Sequence, residues 1–324
     1  MGAFGFVAAG VILLFAGSEA LLRGGIGLSK AIGLSPILVG LLVVSLSTAS
    51  PELSVALQAV LRNAPDIAIA DVVGSNIINL LLILGVGALI APLPSPPKTV
   101  FRDGIAVIAA SAALAFLAAT GRLTRVEGFA LLGGFVLYAV LAFVMDWRRP
   151  AQDSEASAQC RGASESAGTN FFMLFLGLVA VVFGARCLLG GALAVGTHYH
   201  LTHGLLGLTV IAAATALPEF VLMISMAVRG WSFITVGHLL ASSIFNILFV
   251  LGLTAVLHPF AISPTAVGPD VYILLGVTVL LFPLMVFSWR LSRADGVLLF
   301  AAYIAYGAFL AARMGYLPMT LPHF

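Results

Sequence analysis

Charge is scarce in this chain: Asp, Glu, Lys and Arg together make up 9% of its 324 residues. That leaves too little polar surface to clothe a soluble globule, which excludes an ordinary aqueous protein. Cysteine occurs twice, Cys160 in a polar stretch and Cys187 in an apolar one, so neither a disulfide framework nor a thiolate metal centre is indicated. Alternating strand patterns are missing, as are Gly-x-Ser-x-Gly and His-Glu-x-x-His. An intramembrane hydrolase therefore has no motif to rest on. A net charge of +2 spread over loops points to no nucleic acid and no organic cofactor.

What is present is apolar: 61% of residues are hydrophobic and the mean hydropathy is +1.15. Apolar runs of about 20 residues recur, the length a helix needs to cross about 30 Å of hydrocarbon. Helices are the spanning solution once strands are set aside. The fold class expected is an all-α membrane protein of about ten spans, with centres near residues 12, 46, 80, 110, 135, 180, 216, 247, 279 and 303. The first apolar segment, without a basic leader or a small-residue cleavage site before Arg23, reads as a span and not as a signal.

Basic residues between spans divide unevenly. One set of loops collects Arg23, Lys30, Lys98, Arg102, Arg148, Arg149, Arg161, Arg229, Arg290 and Arg293; the other has Arg62, Arg122, Arg125 and Arg313. The first set is cytoplasmic by the positive-inside rule. Both termini then lie outside, in an inner or plasma membrane of bacterial type. A polar stretch, 146–169, forms a cytoplasmic linker between a first five-helix repeat at 1–145 and a second at 170–324.

The halves are copies. At an offset of 167 residues, 218 minus 51, Pro51/Glu52 meets Pro218/Glu219, and the match runs without a gap from residue 11 to residue 86. Gly17 meets Gly184, Gly24 meets Gly191, Gly40 meets Gly207, Thr48 meets Thr215, Ser75 meets Ser242, Asn79 meets Asn246 and Gly85 meets Gly252. An odd number of spans separates the copies, so the second is inverted in the membrane. Secondary transporters are commonly built this way, with sites near the midplane where broken helices from the two repeats face each other.

A carboxylate inside a membrane span costs several kcal/mol unless it serves a partner or a wet cavity. Glu52 and Glu219 each follow a proline, which frees a carbonyl one turn earlier and is expected to open the helix at Ser47/Thr48 and at Ala214/Thr215. Carbonyls, hydroxyls and carboxylates without nearby Cys or His suit a hard cation, and two carboxylates balance one divalent ion such as calcium. Ser75 with Asn79, and Ser242 with Asn246, add polar groups one turn apart on a helix face.

STASPEL with DVVGSNIINLLLILG in the first copy, and ATALPEF with LLASSIFNILFVLG in the second, resemble the alpha repeats of the cation/calcium exchanger superfamily, which includes the sodium/calcium exchangers. The resemblance implies antiport of calcium against sodium, with protons as the alternative counter-ion. It makes Glu52 and Glu219 the calcium ligands, helped by the carbonyls of Thr48 and Thr215. It assigns Thr48, Ser75 and the carbonyl of Ser45 to an inner sodium site, and Thr215, Ser242 and the carbonyl of Ala212 to an outer one. Asn79 and Asn246 take the middle site. The transported partners are inorganic cations, and no protein partner or enzymatic activity is implied.

Departures from the family pattern are specific. Ala49 and Ala216 stand where the family has serine, with Ser47 and Ser50 as candidates to compensate in the first copy. Both asparagine positions are amides, leaving two carboxylates in the expected site. Asp71 and His238 stand where asparagine is usual, and the same offset pairs Glu19 with Arg186. An ion pair between Glu19 and Arg186 across the pseudo-twofold is the expectation. His238 is read either as a group titrating near neutral pH or as a hydrogen-bonded helix residue. His198, His200 and His203 read as a polar loop before a metal site.

Overall fold

A computed structural model describes residues 2–31, 45–146, 166–228 and 232–313. The first half comprises α1 (Ala3–Ala31), α2 (Ser45–Thr48), α3 (Ser50–Leu61), α4 (Pro65–Ile90), α5 (Pro97–Thr120) and α6 (Arg125–Asp146). The second comprises α7 (Ala167–Tyr199), α8 (His203–Thr215), α9 (Leu217–Val228), α10 (Thr235–Leu257), α11 (Pro264–Ser288) and α12 (Arg293–Arg313). Among the described residues, eight single helices are long and apolar enough to span, and α8 with α9, bent by 41°, passes the same test together as a broken ninth. The span expected near residue 46 is described only in its second part, α2 and α3. Most of the linker, with Arg148, Arg149, Arg161 and Cys160, lies outside the described residues, as does Arg229. α7 begins at Ala167, a little inside the expected linker, its first turn capped by the Ser166 hydroxyl.

Two short strand pairs tie distant loops. β1 (Leu93–Pro94) pairs with β4 (Arg290–Leu291), and β2 (Arg122–Leu123) pairs with β3 (Phe260–Ala261), both antiparallel. The pseudo-twofold exchanges these pairs. Backbone hydrogen bonds place the loop after α4 on the same side as the loop after α11, which requires an even number of crossings between them. The six spans α5, α6, α7, α8–α9, α10 and α11 satisfy that parity.

α4 and α10 are the most buried helices and sit at the centre; α6 lies against the end of α10, and α12 against the end of α4. α1 runs antiparallel along α7 and touches the other helices far less. Glycine makes that approach possible. A Cβ placed on Gly10, Gly17 or Gly24 would come within 2.5–2.9 Å of Leu188 N, Gly177 O or Asn170 O, and one on Gly177, Gly184 or Gly191 within 2.7–2.8 Å of Gly17 O, Leu14 N or Val7 N. Six glycines at seven-residue spacing thus form one seam, in which backbone lies on backbone.

This register corrects one expectation. Gly17 opposes Val181 and Gly184 opposes Leu14, so Glu19 faces the region of residue 179, while Arg186 faces that of residue 12. Seven or eight residues of helix separate them, about 11 Å along the axis. Glu19 instead pairs with Arg23 one turn away at 2.6 Å, and Arg186 lies over the Phe183 ring at 5.9 Å. A pseudo-twofold brings equivalent residues together only where they lie close to the axis.

Two buried carboxylates outside the expected site form a second symmetric feature. Asp103 accepts from Arg102 at 2.6 Å and from the Tyr138 hydroxyl at 3.1 Å; Asp270 accepts from Arg313 at 2.6 Å and from the Tyr306 hydroxyl at 3.0 Å. The aspartates are 167 residues apart and the tyrosines 168, so the duplication continues beyond residue 86. Each set clamps neighbouring outer helices, α5 to α6 and α11 to α12. Arg313→Ala leaves Asp270 buried without its cation, a loss of about 3 kcal/mol. The expected outcome is a lower melting temperature of the detergent-solubilised protein, with Tyr306→Phe costing only about 1 kcal/mol.

Candidate functional site

The two Pro-Glu pairs sit at breaks in helices. α2 ends at Thr48, Ala49 takes φ −86° and ψ 3°, and α3 begins at Ser50 with Pro51 in its first turn. In the second copy α8 ends at Thr215, Ala216 takes φ −75° and ψ −3°, and α9 begins at Leu217. The chain therefore bends at the alanines, one residue beyond the Thr48 and Thr215 openings expected. Proline has no N–H for the carbonyl four residues back. The Ser50 hydroxyl donates to that carbonyl, Ser47 O, at 2.8 Å. Ser50 thus repairs the helix with its proton, and its oxygen lone pairs remain for another partner.

The asparagines occupy a matched irregularity. α4 widens into a π-helical segment at Ile78–Ile83, and α10 does so at Phe245–Val250, again 167 residues apart. Such segments recur at functional sites because the wider turn redirects side chains. Asn79 and Asn246 stand in these turns. The arrangement crosses over between repeats: α9, carrying Glu219, packs on the π segment of Asn79, and α3, carrying Glu52, packs on that of Asn246.

Hydroxyl pairing crosses over too. Ser75 lies 3.1 Å from the Thr215 hydroxyl, so it reaches the Thr215 side. Ser242 donates to Glu219 at 3.4 Å, and the Thr48 hydroxyl also reaches Glu219. The groups assembled are Ser75 with Thr215, and Thr48 with Ser242, each mixing the two repeats. Ser45 opens α2, and the carbonyl of Ala212 accepts the Ala216 N–H at 3.0 Å, leaving it a second lone pair.

One residue outside the expected ligand set belongs to the cluster. Asp71 is fully buried on α4 and accepts the Thr215 hydroxyl proton at 2.9 Å. Its charge acts on both Glu52 and Glu219, which puts three carboxylates in mutual range and not two. α4 can present it so deeply because of close helix contacts. A Cβ on Gly74 would lie 2.7 Å from that of Ala212, and Gly207 lies directly against Ala70. His238, its counterpart, is also buried, on α10.

Most buried polar atoms in proteins find a partner. Here both carboxylate oxygens of Glu52, one of Glu219 and both amide atoms of Asn79 and of Asn246 have none among the described residues, and each of these residues is fully buried. Acidic and amide oxygens concentrated on four helices suit a hard divalent cation, which takes six to eight oxygens at about 2.3–2.6 Å. No three His, Cys, Asp or Glu side chains among the described residues already converge on a metal-sized point, so carbonyl, hydroxyl and amide oxygens must complete any ligand set. His200, in the loop between α7 and α8, closes α7 with φ +55°.

The sodium/calcium exchanger protein family matches residues 2–144 and 169–312. The chain is 31% identical to the putative antiporter CaxA of Alkalimonas amylolytica, over 93% of this chain and 96% of that protein. It is 32% identical to the inner membrane protein YrbG of Escherichia coli, over 93% and 94%, and 26% identical to the sodium/calcium exchanger MaX1 of Methanosarcina acetivorans, over 92% and 95%. Its fold is that of the sodium-calcium exchanger NCX_Mj soaked with sodium and strontium, with a TM-score of 0.65, 24% identity and coverage of 94% and 98%. The chain belongs to the sodium/calcium exchanger protein family and is an integral membrane antiporter of inorganic cations.

Proposed function

We propose that the protein exchanges calcium for sodium by alternating access, with Glu52 and Glu219 holding the calcium between the two repeats. One observation carries the reading: a carboxylate from each inverted repeat is fully buried, close enough to feel the other's charge, and has oxygens with no partner among the described residues. Two such charges repel strongly in a low-dielectric site. A divalent ion between them removes that repulsion. The carbonyls of Thr48 and Thr215 help to complete the calcium shell, and Asn79 and Asn246 take the middle site. Sodium occupies the flanking groups Ser75 with Thr215 and the Ala212 carbonyl, and Thr48 with Ser242 and the Ser45 carbonyl.

The glycine seam supports a division of labour. α1 and α7 pack chiefly on each other, whereas the clamps at Asp103 and Asp270 fasten the outer helices. Sliding of the α1–α7 pair exposes the site to one side and then the other. The orientation proposed has both termini outside and the 146–169 linker cytoplasmic, between repeats at 1–145 and 170–324, in an inner or plasma membrane.

Protons are the second reading, because Ala49 and Ala216 each withhold a hydroxyl from a sodium group. Parallel assays in proteoliposomes separate the two. An imposed sodium gradient drives calcium accumulation at constant pH under the reading preferred here; accumulation driven by a pH gradient alone, with no response to sodium, assigns the proton. Ala49→Ser returns a hydroxyl to the Thr48 group, and the expected result is a severalfold lower half-saturating sodium concentration in the same assay.

A further inference from the structure

We propose that Asp71 is a further cation ligand on the Thr215 side of the site, supplying to a monovalent alkali cation the oxygen that Ala216 withholds. The inference rests on the sodium reading above. Asp71 and Ser75 are one turn apart on the face of α4 that meets α8, and the Gly74 and Gly207 contacts bring that face to Thr215. Asp71 Oδ1 takes the Thr215 proton at 2.9 Å, while Oδ2 is buried and has no partner among the described residues.

The other two buried aspartates of the spans show what a structural acid looks like here. Asp103 and Asp270 each hold an arginine and a tyrosine. Asp71 has only hydroxyl neighbours, Thr215 and Ser75, and among the described residues it forms no ion pair. A buried carboxylate with a bare oxygen is costly unless a cation faces it. Glu52 and Glu219 together balance one divalent ion, so the third carboxylate matches one further positive charge beside it.

The hydrogen-bond geometry also frees ligands for that ion. A threonine inside a helix ordinarily donates back to a carbonyl three or four residues earlier. Thr215 has Ile211 O at 3.2 Å and Ala212 O at 3.3 Å, yet the carboxylate at 2.9 Å is the nearer and stronger acceptor. With the proton directed to Asp71, a lone pair of the hydroxyl and the second lone pair of the Ala212 carbonyl stay available. The second copy has His238 at this position, so the two monovalent sites are chemically unequal.

The test uses the purified full chain in liposomes, with calcium/calcium exchange giving the half-saturating calcium concentration and sodium-driven calcium flux giving that for sodium. Asp71→Asn raises the ratio of sodium to calcium half-saturation at least tenfold, and adding Ala216→Ser recovers at least threefold of it. Ala216→Ser alone, with Asp71 in place, gains less than threefold. An unchanged ratio in Asp71→Asn, or a tenfold gain from Ala216→Ser alone, overturns the inference. So does a wild type that runs calcium/calcium exchange without responding to sodium. Absence of calcium/calcium exchange in the wild type marks failure of the underlying calcium-site reading instead.

Discussion

Glu52→Gln and Glu219→Gln each abolish calcium transport, lowering flux at least a hundredfold, while the protein still folds. At an effective dielectric near 20, a unit charge about 4 Å from another contributes about 4 kcal/mol, and about 2.8 kcal/mol is already a factor of 100. Glutamine keeps the volume and removes the charge. Because a buried carboxylate without a counter-charge costs the fold free energy, either substitution leaves the melting temperature of the calcium-free protein unchanged or higher. The stabilisation that calcium confers on the wild type disappears. Thermal unfolding with and without calcium, beside flux in liposomes, separates loss of the site from loss of the fold. Retained transport in either variant contradicts the assignment.

Gly184→Val has the second large effect. Its Cβ would lie 2.8 Å from Leu14 N and 3.1 Å from Gly10 O, both backbone atoms that cannot rotate away. α1 and α7 must separate, at an overpacking cost of about 3 kcal/mol, and the seam on which they pair opens. We expect transport to fall at least tenfold. Gly276→Val on α11 is the control: nothing lies within 4 Å of its Cβ, and it carries the same penalty for a β-branched residue in a helix. Equal flux in the two variants removes the seam from the mechanism.

Much of this was legible in the residues. The offset of 167 located both glutamates, both asparagines and the Gly17/Gly184 and Gly24/Gly191 pairs, because duplication preserves spacing whatever the packing. Contacts between the copies were another matter. The resemblance groups Ser75 with Thr48, and the interleaved inverted repeats add Thr215 as a neighbour of Ser75. Glu19 and Arg186 were paired by symmetry, but antiparallel register sets which residues of α1 and α7 face each other, and these two do not. Asp71 is absent from the expected ligand set because periodicity says nothing about which neighbouring helix a face meets. The aspartate–tyrosine clamps lay beyond the gapless match, where one inserted residue shifts the offset to 168. A search allowing that shift finds them.

The central claim is that one divalent ion sits between the two repeats, bound by both glutamates. Diffraction from crystals soaked in strontium, recorded at an energy that gives strontium an anomalous signal, tests it directly. The account predicts a single strong peak within about 2.3–2.6 Å of carboxylate oxygens from Glu52 and Glu219 together. A peak bound by only one of them, or one located away from α3 and α9, contradicts it.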